Sequence, residues 1–432
     1  MGKGLKSIIV EKLNKLKDTG FFAIVLSNIF AKMLTFFGGM VLVRLLTKSE
    51  YGIYTDIMNN YGILFILNDF GCGVAMMQYR SENYSDKEKN NDYFTKAYKY
   101  GMLSTSVASM LLLFSPLFYP FKQSASVKLT QSLFLLPFFS TTNSFVQTNL
   151  LVKMKNKKYA VINILQTFIH YGVLLPFSFF LNLRGAVFAN YVIAIILLII
   201  SVIISNTDLK FNWKSNILSR DEKKGFLKFA LGSQLNNSIG GMLNLFDIFL
   251  IGLIVANSES IASYKVASTI PQALLFVPNS IIIYIVPYFA RNSQNKKWVK
   301  ANYKKIIALC SLINGTMMLM CIILSGSIIP YIYGTQYNDA VFCFKVLMCS
   351  FFFNGSIYLP TANIIYTQHK VRVNIVLTII SNVVNCAMDV LLINSFGSIG
   401  AAYSTLIVSC VSAIISLCYM TRCFRTWSLE LI

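Results

Sequence analysis

Charge is what this sequence has least of. Charged residues make up 13% of its 432 residues and hydrophobic ones 55%, whereas a soluble domain carries roughly a quarter charged. So little charge cannot cover a water-facing surface of this size. That excludes a soluble enzyme, a disordered linker and a fibrous protein, and leaves a polytopic membrane protein. Acids are the scarcer sign, with Asp+Glu 17 against Lys+Arg 38 and a net charge of +21. In a soluble chain that balance would point to nucleic acid. In a membrane chain it reads as basic cytoplasmic loops, and no nucleic-acid partner is expected. Histidine is limited to His170 and His369, too few for a readable metal site. Nine cysteines are present, none spaced C-x-x-C, and Cys310, Cys321, Cys386, Cys410 and Cys418 lie in apolar runs as small hydrophobes. There is no G-x-x-x-x-G-K-[ST], so ATP-driven transport by this chain itself is not expected. No nucleophile elbow is found either, and no cofactor is implied. A secretory signal is also missing. Five lysines fall in residues 1–20, and the apolar run after them is too long and lacks a small-residue cleavage site. The first span is therefore expected to stay as an anchor.

What is present is a series of long apolar runs. A spanning helix needs about 20 mostly apolar residues, whereas a barrel strand needs about 10 that alternate; the runs are continuous, so helices are expected. Candidate spans lie near 21–45, 52–79, 98–119, 129–152, 159–181 and 185–205. After a polar gap come 226–255, 261–289, 303–329, 339–367, 373–394 and 397–420. With the N-terminus inside, the outside segments hold only Arg44, Lys48, Lys122, Lys128 and Arg184. Lys32, Lys265 and Lys345 fall in or at the edge of spans, and all the other Lys and Arg fall inside. A missed span would invert this asymmetry from that point on. The expected fold is therefore an all-α integral membrane protein of twelve transmembrane helices with both termini cytoplasmic. Its parts are a segment 1–20, a six-helix lobe 21–205, a linker 206–224, a second six-helix lobe 225–420 and a tail 421–432. Because six is even, the halves would be parallel repeats about an axis along the membrane normal.

Ionisable groups in a membrane are costly and are functional candidates by default. Here they are Lys32, Asp69, His170, Asp247, Lys265, Lys345 and Asp389, with Asp56 and Arg44 nearer span ends. Arg44 and Lys265 are also close enough to ends to be snorkelling anchors. Uncharged polar residues recur at helical steps: Gln234, Asn237, Gly241, Asn244 and Asp247 in span seven; Thr378, Ser381, Asn382, Asn385 and Asp389 in span eleven; Asn163, Gln166, Thr167 and His170 in span five; Ser140, Asn143 and Gln147 in span four. Each set lies on one helical face. Interhelical hydrogen bonding accounts for one or two such stripes. Four stripes together with charges of both signs fit a water-filled central cavity better. Pro137, Pro176, Pro271, Pro278, Pro287 and Pro360 interrupt spans, and each is read either as a packing kink or as a bend used in transport.

Several short motifs carry a family resemblance. At the end of span one stands Arg44-Leu45-Leu46-Thr47-Lys48-Ser49-Glu50-Tyr51-Gly52-Ile53-Tyr54, and at the end of span two Asn68-Asp69-Phe70-Gly71. Ser263-Tyr264-Lys265-Val266-Ala267 enters span eight, and Tyr331-Ile332-Tyr333-Gly334-Thr335-Gln336-Tyr337 precedes span ten. In order and spacing these resemble the polysaccharide transporter family, the Wzx-type O-antigen flippases of the multidrug/oligosaccharidyl-lipid/polysaccharide flippase superfamily. Asp247 stands where that family often has an Asp, although Ile248 replaces the usual basic neighbour. Glu50 to Tyr54 faintly echoes Glu259 to Tyr264.

The resemblance implies a non-enzymatic flippase that moves an undecaprenyl-pyrophosphate-linked oligosaccharide across the bacterial inner membrane, in O-antigen or lipopolysaccharide biosynthesis. Its partners would be membrane lipid, a polysaccharide polymerase and a chain-length regulator. The chemistry of the residues agrees. Basic groups can replace the water around a pyrophosphate, and Asn, Gln, Ser and Tyr can hydrogen-bond sugar hydroxyls. Lys32 and Lys345, then Lys265 and Arg44, are the expected anion contacts; Asn237, Asn244 and Asn385 are further substrate contacts. Asp247, Asp389 and Asp69 are candidates for coupling to an ion or proton, or for partnering those bases. The expected mechanism is alternating access by two rocking lobes. A drug/cation antiporter would need acids to dominate its cavity. A membrane polymerase or ligase would need a substantial outside loop.

Overall fold

The computed structural model describes residues 21–118, 124–205, 217–368 and 370–429. The expected N-terminal segment 1–20, residues 206–216 of the linker and 430–432 of the tail lie outside them. Among the described residues every regular element is helical. In order these are α1 (Phe21–Leu45), α2 (Lys48–Phe65), α3 (Cys72–Glu82), α4 (Lys87–Leu113), α5 (Ser124–Ser132), α6 (Leu136–Val152) and α7 (Asn156–Ser205). Then come α8 (Arg220–Ile254), α9 (Ser258–Leu274), α10 (Phe276–Arg291), α11 (Lys296–Ile323), α12 (Ser325–Tyr333), α13 (Ala340–Phe353), α14 (Leu359–Thr367), α15 (Val371–Phe396) and α16 (Ser398–Leu429).

Local chemistry fixes several starts. The Thr47 hydroxyl accepts from the Glu50 backbone N–H at 3.3 Å, and a Glu50 carboxylate oxygen accepts from the Thr47 N–H at 3.1 Å. This reciprocal cap opens α2. Ser219 and Glu222 open α8 in the same way, at 3.2 and 2.8 Å. Prolines mark some of the breaks. α9 gives way to α10 at Leu275, between Pro271 and Pro278, and the wide turn Asn354–Tyr358 ends just before Pro360. Pro176 leaves α7 helical.

Among the described residues seven helical stretches are long and apolar enough to cross a membrane, α7 among them with 50 residues. At 1.5 Å per residue α7 would run about 75 Å, more than twice a hydrocarbon core of about 30 Å. It does not run straight. Asn182 has φ 49°, ψ −137°, and a Cβ on Gly185 would stand 2.0 Å from the Phe177 carbonyl oxygen, so the chain folds back on itself there. α15 and α16 are joined by the same device. Gly397 has φ 62°, ψ −141°, and a Cβ on Gly400 would stand 2.1 Å from the Leu392 oxygen. Two turns of one shape thus stand 215 positions apart. The other expected spans fall on the helices α2–α3, α4, α5–α6 and α8.

Gly400→Ala is therefore expected to lower stability by about 1–3 kcal/mol, the usual cost of forcing an atom into a packed site. It would be read as a clear drop in melting temperature in detergent. Gly172→Ala, on a residue with nothing within 4 Å of its would-be Cβ, should show no loss.

The helices form two compact units. One holds residues up to Glu50 and Ile57–Gly241; the other holds Tyr51–Asp56 and Met242–Ile432. The packing boundary thus falls inside α8, not in the 206–224 segment that the sequence marks as linker. The reason is the first half of α8. Phe226 and Ala230 are buried with Cys72, Met76, Tyr93 and Phe94. The Gln234 amide donates to the Ile66 carbonyl. Asp92 accepts from the backbone N–H groups of Ile217 and Leu218 at 3.0 Å each, and Lys89 pairs with Glu222 at 3.0 Å. Conversely, a Cβ on Gly52 would meet the Ser258 carbonyl oxygen at 1.8 Å, which ties Tyr51–Asp56 to the second unit.

Candidate functional site

Each unit encloses a polar cavity. In the second it measures about 210 Å³ and lies among α8, α9, α13, α15 and α16. The expected stripe of span eleven supplies Thr378, Ser381, Asn382 and Asn385, and span seven contributes Asp247. Two faces that the sequence reading did not single out complete it: Tyr264, Ser268 and Gln272 on α9, and Thr405, Ser409 and Ser412 on α16. Both sets recur at steps of three and four, so a scan for helical polar periodicity in those spans would have found them.

At one end of this cavity two carboxyl groups meet. Asp247 accepts from the Tyr264 hydroxyl and from Thr405 Oγ1 at 3.1 Å. Asp389 adjoins Asp247 and Ser404. It is wholly buried, yet neither of its oxygens has a hydrogen-bond partner at good geometry. One turn earlier on α15, Asn385 Nδ2 reaches Ser404 Oγ at 3.4 Å. Among the described residues no Lys or Arg lines the cavity.

The first unit's cavity is larger, about 540 Å³, and lies among α2, α6, α7 and α8. The stripes of spans four and five converge in it through Ser140, Asn143, Gln147, Gln166 and His170, with Asn68, Asn190 and Gln234. Asp69 sits at the rim, inside a left-handed break in the helix. Asp69, Phe70 and Gly71 have φ 52°, 44° and 73°. The Asp69 carboxylate accepts from the N–H groups of Gly71 at 2.9 Å and Gly73 at 3.1 Å, which starts α3. A side chain on Gly71 would strike the Ala230 carbonyl oxygen at 2.3 Å, so glycine is required both by conformation and by space.

The basic candidates lie apart from both cavities. Lys32 and Arg44 are exposed on α1, and Lys265 and Lys345 are partly buried on α9 and α13. Lys265 and Lys345 have no carboxylate partner among the described residues. Asn237 and Asn244 lie on α8, but their side chains are outside the described ones. No group of three or more His, Cys, Asp or Glu is placed to hold a metal among the described residues.

Residues 41–342 match a family described as polysaccharide biosynthesis protein. No curated relative matches the sequence. Among solved structures the chain is similar to lipid II flippase MurJ in an inward closed conformation. The TM-score is 0.74 at 14% identity, covering 92% of this chain and 87% of that one. It is also similar to the inward-facing conformation of a multidrug resistance MATE family transporter of the MOP superfamily, with TM-score 0.73 at 13% identity, covering 92% and 95%. Likeness at such identity establishes the fold, which is that of MOP-superfamily transporters.

Proposed function

The chain belongs to this polysaccharide biosynthesis family, and from that premise we propose that it is a flippase for an undecaprenyl-pyrophosphate-linked oligosaccharide. In this reading it lies in the bacterial inner membrane as twelve spans with both termini cytoplasmic, and it serves O-antigen or a related surface polysaccharide. The observation that carries the reading is the combination of this family with a fold shared by a lipid II flippase.

The substrate has three chemically distinct parts. Its polyprenyl tail is at home in lipid. Its pyrophosphate needs cations to replace hydration in a low-dielectric slab, and Lys32, Lys345, Lys265 and Arg44 are assigned to it. Its sugars need neutral donors and acceptors. The carboxyl pair supplies a means of coupling. Two carboxylates side by side and buried are not stable as bare like charges, so a proton or a cation accompanies them. Loading and unloading that charge would bias the two lobes between access states. The antiporter reading keeps Asp247 and Asp389 on its side; what favours the flippase is the match to a polysaccharide biosynthesis family.

The test in cells is deletion of the gene. Lipid-linked oligosaccharide should accumulate in the membrane while surface polymer disappears, and a plasmid copy should reverse both. Loss of the lipid-linked precursor itself would instead indicate a synthetic enzyme.

A further inference from the structure

The first unit's cavity differs from the second in a way that specifies a ligand. It is polar but almost without usable charge. Among the described residues no Lys or Arg lines it, so it offers no cation to a pyrophosphate. The carboxylate among them, Asp69, is committed to two backbone N–H groups, so it offers little to a cation. What remains is a set of half-used amides. Gln147 Nε2 donates to Gln166 Oε1 at 3.1 Å, which leaves Gln147 Oε1 and Gln166 Nε2 without a protein partner. Asn143 Oδ1 accepts from Ser201 at 2.6 Å, which leaves the Asn143 amide nitrogen. Asn190 spends its amide nitrogen on carbonyls of its own helix at 2.9 and 3.3 Å, which leaves Asn190 Oδ1. Two donors and two acceptors are thus presented together. Beside them Tyr61 and Phe65 are stacked with ring centroids 5.3 Å apart, an apolar wall in the same cavity.

The repeat sharpens the contrast. At the 215-residue offset set by the two hairpin turns, Leu174 stands where the second unit has Asp389, and Asn190 where it has Thr405.

We propose that the first unit's cavity is a subsite for a neutral sugar residue, held by Asn143, Gln147, Gln166 and Asn190 with its C–H face against Tyr61 and Phe65. A sugar's vicinal hydroxyls each donate and accept, which matches free amide ends of both kinds, and its ring faces are apolar enough to pack on aromatic rings. At about 540 Å³ the cavity has the size of ordinary small-ligand sites. The inference rests on the flippase reading, since the sugar would arrive attached to the lipid pyrophosphate.

The experiment measures binding to the full chain in nanodiscs. The probes are short-chain polyprenyl pyrophosphates carrying glucose, galactose, N-acetylglucosamine or N-acetylgalactosamine, and the same lipid without sugar. Wild type should bind at least one glycosylated lipid about tenfold tighter than the bare one. Gln147→Leu/Gln166→Leu removes both members of a mutual hydrogen bond and so orphans neither. It should lose that advantage by about tenfold or more, as expected for two uncharged hydrogen bonds, and should leave affinity for the bare lipid unchanged. If that variant does not purify as a single species, Gln147→Asn/Gln166→Asn keeps the polarity, withdraws both amides by one methylene, and should show the same loss. Wild type that binds every lipid of the panel like the bare one overturns the subsite and leaves the flippase reading standing. A sugar preference that survives either double variant moves the sugar elsewhere and also overturns it. Wild type that binds no pyrophosphate lipid at all removes the flippase reading and the subsite with it.

Discussion

Asp389→Asn is expected to abolish gradient-driven translocation, by at least tenfold in rate, while leaving binding of the lipid-linked sugar nearly intact. The amide matches the carboxylate in shape but neither titrates nor carries charge. In the native site Asp389 is buried beside Asp247 and Ser404, and neither of its oxygens has a hydrogen-bond partner at good geometry among the described residues. A purely structural carboxylate would be expected to have its oxygens satisfied, as those of Asp69 are. Asp247→Asn should act in the same direction. It should also cost some stability, because Asp247 accepts from Tyr264 and Thr405. The measurement is lipid translocation in vesicles with and without an imposed proton or sodium gradient. Gradient-dependent transport of normal rate in both variants would take the pair out of the mechanism.

The second large effect is expected at the bases. Lys32→Ala and Lys345→Ala should each reduce surface polysaccharide at least tenfold at normal expression, because a charge-assisted hydrogen bond is worth about 1.5–3 kcal/mol, or tenfold and more in affinity. Lys→Arg at either position should keep part of the activity, since charge survives while geometry changes. Lys345 lies partly buried with no carboxylate beside it, a costly placement unless an anion visits. Full polysaccharide in Lys32→Ala would assign that residue to snorkelling.

Helix class and the polar faces were readable in the sequence because both obey a 3.6-residue period. The stripes of spans four, five and eleven do line cavities. The meeting of Asp247 with Asp389 was not readable, since it joins α8 to α15 through tertiary packing that no local pattern encodes. The polar faces that hold Tyr264 and Thr405 were within reach of a periodicity scan, but their convergence on the Asp247 carboxylate was not. Asn68 to Gly71 reads in the sequence as one of the family motifs. Its left-handed turn depends on Gly71 sitting against the Ala230 carbonyl, a contact 159 positions away in the chain. Of the span-seven stripe, Gln234 lines the first unit's cavity and Asp247 the second's.

The most direct measurement is translocation by the purified wild-type chain in sealed vesicles that contain an undecaprenyl-pyrophosphate oligosaccharide in both leaflets. An impermeant lectin reports the externally accessible fraction before and after a gradient is imposed. The flippase account predicts that this fraction changes within minutes in the chain's vesicles and stays at its starting value in protein-free vesicles. An accessible fraction that never departs from the protein-free value, in vesicles where the same protein moves a cationic dye, would contradict it.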